Sequence, residues 1–353
     1  MKAIQITQPG EIKVINIPEP VIKPDEALIK IRYVGFCGSD LNTYSGKNAL
    51  AKKPVIPGHE TGGLIEAVGE KVPTHLAPGL SCTVNPYTAC GCCPSCRNGR
   101  TNACQFNQTL GVQRDGAMCE YIAVPWNKII TDENITPYDF CLVEPMSVGF
   151  HAVERGKVTN LDTVMVLGCG MIGIGALVSA VQRGAIVIAV DVDDNKLVLA
   201  KRLGAMFTIN SQTENVHERL LTITNNSSPD VVIEAVGITA TYQMAVQEVA
   251  FTGRVVCIGY AKSDISFETK LFVQKELDIR GSRNALPDDF KAVMDWVKKG
   301  AYLTPVPSPK ERGESTFPKE EFINGVYPPE KAQEALERWK ANQSKIFRLL
   351  VEF

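Results

Sequence analysis

Up to about residue 140, apolar and polar positions alternate in short runs broken by Gly and Pro, as in ALIKIRYVGF, GGLIEAVG and CEYIAVP. A period of two puts every second side chain on one face of an extended strand, so these runs predict a compact, mostly β domain. Near Glu144 the pattern changes. From Leu161 onward, apolar strand-like runs alternate with longer stretches of helical spacing: TVMVLG, MIGIGALVSAVQRG, AIVIAVD and KLVLAKRLGA. A second set follows with VVIEAVG, TYQMAVQEVAFTG, RVVCIGY and LDIRGS. Strand–helix alternation of this kind belongs to βαβ units on a parallel sheet, and six strands in two halves complete a doubly wound sheet. After Ala285 the character is mixed again, with a polar stretch around Lys310–Glu321 read as a solvated loop and a final strand, IFRLLVEF. The chain is therefore expected to be an α/β protein. Its first domain covers residues 1–146, a Rossmann-type domain covers 147–285, and residues 286–353 return to the first.

Composition narrows the function classes. The 353 residues suffice for two domains with ample cores, and the formal net charge of -2 offers no basic field for nucleic acid or an anionic membrane. The N-terminal run MKAIQITQPGEIKVINIP is polar and alternating, without the apolar core of a signal sequence. No apolar run reaches the roughly 18 residues that a membrane span needs. The 11 cysteines, in a chain with no secretion signal, imply a reducing, cytoplasmic setting in which metal binding is favoured over disulfides.

Four of those cysteines, Cys90, Cys93, Cys96 and Cys104, lie in CGCCPSCRNGRTNAC, a C-x2-C-x2-C-x7-C pattern. Two-residue gaps deliver three thiolates to one point and a short loop returns the fourth, the donor set of a closed, structural tetrahedral zinc. Pro94, Gly91 and Gly99 supply the turns. The competing reading is a disulfide knot or scattered thiols, and Cys92 adds a fifth thiol, so the choice of four rests on spacing.

Gly168-Cys169-Gly170-Met171-Ile172-Gly173 follows an apolar strand and opens an apolar helix, the context that a dinucleotide-binding G-x-G-x-x-G requires. Its first glycine allows the tight turn, the second admits the pyrophosphate and the third lets the helix approach the sheet, so that phosphate sits at the helix N-terminus. The next strand ends in Asp191, with Asp193 and Asp194 after it and no adjacent arginine. A carboxylate there accepts from the ribose hydroxyls and repels a 2′-phosphate, which favours NAD over NADP. The alternative role for Asp191 is to cap the following helix.

Two further motifs, Cys37-Gly38-Ser39-Asp40 and Gly58-His59-Glu60, gain weight only in company with the cysteine lobe and the dinucleotide motif. Together with PGHETGG and the pair Glu144-Pro145, they make the chain resemble the zinc-dependent medium-chain dehydrogenases/reductases. The likeness covers essentially its whole length. CPSCRNGRTNAC, LGVQRDG and GSRNALPDDF extend it to polyol and sugar-acid dehydrogenases, such as bacterial L-galactonate 5-dehydrogenases. The resemblance implies a GroES-like first domain and two zinc ions per chain. It carries Cys37 and His59 over as ligands of the second zinc, with Glu60 and Glu144 as alternative acidic partners. It implies hydride transfer between NAD and a secondary hydroxyl, with zinc as Lewis acid. Ser39 takes the place of the family's proton relay. Asn42 stands where many relatives carry a histidine, so the relay is shorter, ends in water or uses another group; His151 is the nearby candidate.

Gly237 and Gly259, at the ends of later strand runs, complete the expected cofactor site. For the substrate, Arg283 and Asn284 follow the last strand run, where an arginine suits a carboxylate and favours a sugar acid; equally, Arg283 contacts cofactor or closes a gap. Thr43 and Tyr44 are candidate lining residues. The leading reading is an NAD- and zinc-dependent polyol or sugar-acid dehydrogenase. Its rivals are L-threonine 3-dehydrogenase and a non-catalytic nucleotide-binding sensor. A homodimer or homotetramer is expected, with Val255–Gly259 and LDIRGS as candidate surfaces.

Overall fold

A computed structural model describes residues 1–51, 53–299 and 319–353. The chain divides into two compact units, Met1–Pro145 with Pro318–Phe353, and Met146–Phe317.

The first unit is built on a mostly antiparallel sheet whose spine is Glu26–Gly35. Its alternation buries Ala27, Ile29, Ile31 and Val34. Glu60–Val68 pairs along one side of the spine, while Tyr121–Pro125 and Arg348–Glu352 pair in succession along the other. Ser81–Val84 and Ile129–Thr131 extend the sheet beyond Glu60–Val68, and Ile323–Tyr327 lies outside Arg348–Glu352 in parallel. A separate hairpin joins Lys2–Gln8 to Glu11–Asn16. The expected final strand thus forms, and it enters the middle of a sheet begun more than 300 residues earlier. One consequence is a row across three strands in which Gly35 lies opposite both Glu60 and Leu350.

The second unit carries six parallel strands in the order Phe207–Asn210, Ile186–Asp191, Thr163–Leu167, Val231–Glu234, Arg254–Cys257, Asp278–Gly281. Near-continuous apolar runs are what a sheet covered on both faces needs, and Met165, Ile188, Val190, Val232 and Val255 form its core. The chain order reverses between Thr163–Leu167 and Val231–Glu234, which opens a ligand crevice at the strands' carboxyl ends. The strand Phe207–Asn210 has only four residues of mixed character and carries no pattern of its own in the sequence.

Three expectations are adjusted. The helix Pro287–Lys298 stays with the second unit, burying Phe290, Val293, Met294 and Trp296, whereas the sequence pattern places residues 286–353 in the first domain. Its apolar face (period 3.6) does not reveal which unit it packs on. The run Val255–Gly259 is not an exposed association surface, because its strand is paired on both sides; Asp278–Gly281 is the edge. The loop expected at Lys310–Glu321 lies outside the described residues up to position 318, and Lys319–Phe322 is a helical turn. No helix among the described residues is long and apolar enough to cross a membrane.

Candidate metal centres and dinucleotide crevice

In the lobe, Cys90, Cys93, Cys96 and Cys104 bring their sulfurs within 4.8 Å of one another, and Cys92 is not among the four. The Cys93–Cys96 and Cys93–Cys104 sulfur separations are 3.5 and 3.8 Å. Ligands about 2.3 Å from a tetrahedral zinc lie about 3.8 Å apart, whereas a disulfide holds its sulfurs at about 2.0 Å. All eleven cysteines are unpaired thiols, so the disulfide alternative drops out. Backbone N–H groups of Cys93, Cys90 and Phe106 point at sulfurs of Cys90 and Cys104, each at 3.3 Å, the support that thiolates need. The Ser95 hydroxyl and nearby backbone N–H groups pull Cys93 down to about 5, while burial and then its thiol neighbours push Cys96 up to about 12. Thiols this close separate in acidity unless a cation neutralises all of them, and a zinc ion does that.

A second cluster lies in the first unit. Cys37 caps the short helix Gly38–Tyr44, and its N–H donates to Asp40 Oδ2 at 2.8 Å. His59 and Glu60 come from the start of Glu60–Val68 and the residue before it. Cys37, His59 and Glu60 each place one ligand atom within 4.8 Å of the other two. The carboxylate of Glu60 is fully buried and passes over Gly35, where a Cβ would stand 2.4 Å from its Oε2. Arg348 reaches the same place from the last strand, with Nη1 3.0 Å from Glu60 Oε1 while donating to Phe36 O at 2.6 Å. Neither Glu60 oxygen completes a hydrogen bond, and His59 Nδ1, Asp40 Oδ1 and Ser39 Oγ are also buried without a partner. Orphaned acceptors beside a thiol and an imidazole fit a bound cation.

The charges in this cluster work on one another. Burial opposes ionisation of Cys37, but the facing His59 and, less, Arg348 together outweigh it and lower the thiol's pKa. Burial likewise opposes a charged His59, but Cys37, Asp40 and Glu144 together outweigh it, so the imidazole is held well above its ordinary value. Glu60 is pushed well up by burial, with Arg348 acting against that rise. Glu144 lies beside the cluster without joining the three-residue ligand set, and its Oε1 accepts a short hydrogen bond from the Tyr87 hydroxyl.

The second unit supplies the crevice. Gly168 to Gly173 join Thr163–Leu167 to the helix Met171–Gln182, with Gly170 as N-cap. A Cβ on Gly173 would stand 1.7 Å from Gly168 O, so no other residue lets this helix close on the turn. Around Gly170 a Cβ would meet nothing within 4 Å, which leaves the open cradle that a pyrophosphate needs at a helix N-terminus. Asp191 ends its strand and turns back toward the motif: Oδ2 accepts from Cys169 N at 2.6 Å, and Oδ1 accepts from Val192 N and Asp193 N. The following helix is capped by Asp193 instead, through Asn195 N and Lys196 N. Gly237 and Gly259 pack backbone against backbone at neighbouring strand ends, beside a depression of about 520 Å³ lined by Tyr242, Tyr260 and Ser282 among others.

Residues 23–133 match the family model for the alcohol dehydrogenase GroES-like domain, and residues 172–299 match that for zinc-binding dehydrogenases. The L-galactonate-5-dehydrogenase of Escherichia coli K12 is 34% identical over 85% of this chain and 88% of its own length. The sorbitol dehydrogenase of Bacillus subtilis 168 is 35% identical over 80% of this chain and 81% of its own. The chain belongs to the zinc-dependent medium-chain dehydrogenases. A dehydrogenase from Escherichia coli CFT073, solved with NADH, superposes on this member with a TM-score of 0.87 at 28% identity, covering 100% of this chain and 99% of the other.

Within this dehydrogenase the structure also relocates residues. Tyr44 is not a lining residue: it is almost wholly buried in the core, with its hydroxyl donating to Glu337 at 3.1 Å. Thr43 is buried too, donating to Ser39 O and accepting from Asn48 Nδ2. Asn42 remains in the helix Gly38–Tyr44. His151, on Val143–Gly156, binds Asp289 Oδ2 through Nδ1 at 2.9 Å. Arg283 and Asn284 follow Asp278–Gly281, with Asn284 in the left-handed region at φ 55°. Tyr87, Arg348 and Asp40 were given no role from the sequence. For Arg348 a signal existed, the one basic residue inside the largely apolar run IFRLLVEF. Tyr87 carried none.

Proposed function

We propose that this chain is a cytoplasmic, NAD-dependent dehydrogenase that oxidises a secondary hydroxyl of a sugar acid or polyol, with one structural and one catalytic zinc. The observations that carry this reading are the set Cys37, His59 and Glu60 in one unit, whose ligand atoms lie within 4.8 Å of one another and of which His59 and Glu60 are buried, and an open glycine cradle with Asp191 in the other unit. When bound, zinc supplies Lewis acidity toward a hydroxyl or carbonyl oxygen and NAD supplies the hydride acceptor. Cys37, His59 and Glu60 hold the metal. Glu144 presents a carboxylate beside them. The Ser39 hydroxyl hands on the proton that the substrate loses, and Asn42, which cannot accept it, leaves that proton to water or another group. The four lobe cysteines act on structure alone, since they leave no open position. Gly168, Gly170, Met171, Ile172 and Gly173 hold the pyrophosphate, flanked by Gly237 and Gly259.

The relatives named for L-galactonate and sorbitol support a polyhydroxy substrate. Arg283 favours the acid, as a permanently charged fork suited to a carboxylate. Activity with NAD on a panel of sugar acids, neutral polyols and L-threonine, before and after chelation, tests the whole reading; chelation-insensitive turnover, or none on any polyol, would sink it. In the same panel Arg283→Ala should reduce kcat/KM for an acid by about ten- to a hundredfold more than for its neutral counterpart. Equal losses would assign Arg283 to cofactor binding or closure.

Asp191→Ala should lose most of the preference for NAD, narrowing kcat/KM(NAD) over kcat/KM(NADP) by about tenfold or more, because the carboxylate repels a 2′-phosphate. Wild-type protein that used both cofactors equally would contradict this role. Association as a homodimer or homotetramer through the edge strand Asp278–Gly281, with Ile279 half exposed, gives that edge a partner. Sedimentation showing only monomer at micromolar concentration would count against it.

A further inference from the structure

Tyr87 stands between the strand Ser81–Val84 and the cysteine lobe. It is buried, and its segment is pinned at both carbonyls and at its own N–H. Lys128 Nζ donates to Tyr87 O at 2.7 Å, Arg114 Nη2 donates to Pro86 O at 3.5 Å, and Tyr87 N donates to Asn85 Oδ1 at 3.1 Å. A phenol fixed this firmly by its backbone can hold another group in place. What it holds is Glu144, through a short hydrogen bond from its hydroxyl to Oε1.

Besides Asp40, which the Cys37 N–H engages, the cluster has two carboxylates beside it, Glu60 and Glu144, yet only Glu60 is inside the ligand set. Cys37, His59 and Glu60 each bring a ligand atom within 4.8 Å of the others, and Glu144 does not join them. A buried carboxylate near a cation is drawn to it unless another donor competes. Were both glutamates to ligate with Cys37 and His59, four protein ligands would close the centre, as in a structural site, and a substrate oxygen would find no position.

We propose that Tyr87 is a positioning residue whose hydrogen bond to Glu144 keeps that carboxylate out of the ligand set, leaving Cys37, His59 and Glu60 to hold the metal and the fourth position to substrate. The proposal rests on the reading of this cluster as the catalytic zinc centre. A purely structural tyrosine would, on losing its hydroxyl, weaken the metal site or leave it unchanged. A residue that restrains Glu144 does the opposite.

The test compares wild type, Tyr87→Phe, Glu144→Gln and the double variant, as zinc holoenzymes and with cobalt exchanged into the catalytic centre. Tyr87→Phe should hold its second metal about tenfold more tightly in chelator competition, change the visible spectrum of the cobalt form, and lose kcat more than KM. The double variant should restore wild-type metal affinity and spectrum, since the restrained carboxylate is gone. Glu144→Gln alone should leave metal affinity near wild type, an arm that stands even if Tyr87→Phe fails to fold. Unchanged or weaker metal binding in Tyr87→Phe, or a tenfold loss in Glu144→Gln, overturns the proposal while two zincs in wild type keep the metal-centre reading. One zinc per wild-type chain overturns both.

Discussion

The His59→Ala protein should keep its fold and one zinc per chain while losing on the order of a thousandfold or more in kcat/KM. His59 is the neutral ligand of a set whose other members, Cys37 and Glu60, are anionic when they bind metal. Without the imidazole, the half-buried Cys37 and the buried Glu60 remain with Arg348 as the nearby compensating charge, and two ligands of this kind hold zinc poorly. The imidazole also keeps the Cys37 thiol acidic, so its removal raises the very pKa on which ligation depends. Elemental analysis and steady-state kinetics on the same sample read both effects, and thermal melting checks the fold. A variant that retained two zincs and near wild-type turnover would show that the cluster is neither the metal centre nor the source of activity.

Replacing Cys104 should have the largest effect on stability. Its sulfur is fully buried, receives N–H groups from Cys90 and Phe106, and lies 3.8 Å from Cys93. The lobe carries little regular structure beyond the turns Pro94–Arg97 and Thr101–Ala103, so its order depends on the metal that the four thiolates would share. Cys104→Ala should lose one zinc, lower the melting temperature by on the order of 10 °C, and expose residues 90–104 to proteolysis. Cys92→Ser is the matched control. Cys92 lies in the same loop but outside the four-sulfur group, so this variant should retain two zincs and the wild-type melting temperature. Zinc loss in Cys92→Ser, or its retention in Cys104→Ala, would reassign the ligands.

What the sequence determined by itself is what short range encodes. Strand periodicity, the G-x-G-x-x-G turn and the spacing of lobe thiols are each set within a few residues, by side-chain alternation, by the lack of a Cβ and by turn chemistry. These predicted a mostly β domain, a parallel sheet with its dinucleotide turn and the four-thiol lobe, whereas Cys37, His59, Glu60 and Glu144 came only with the family resemblance. Tertiary structure decided what depends on distant partners. Glu60 and Arg348 meet only because the last strand pairs beside Gly35, and Tyr87 holds Glu144 only because the lobe segment packs against the start of Val143–Gly156. Tyr44, polar and close to the Cys37 motif, turns into the core because its hydroxyl finds Glu337, 293 residues away. The helix Pro287–Lys298 has an amphipathic pattern that any core would satisfy, and only the fold selects which one. Local patterns specify which elements form and which face they bury; the pairing of buried charges and hydroxyls is settled by chain topology, because each such group must find a partner wherever the strands bring one.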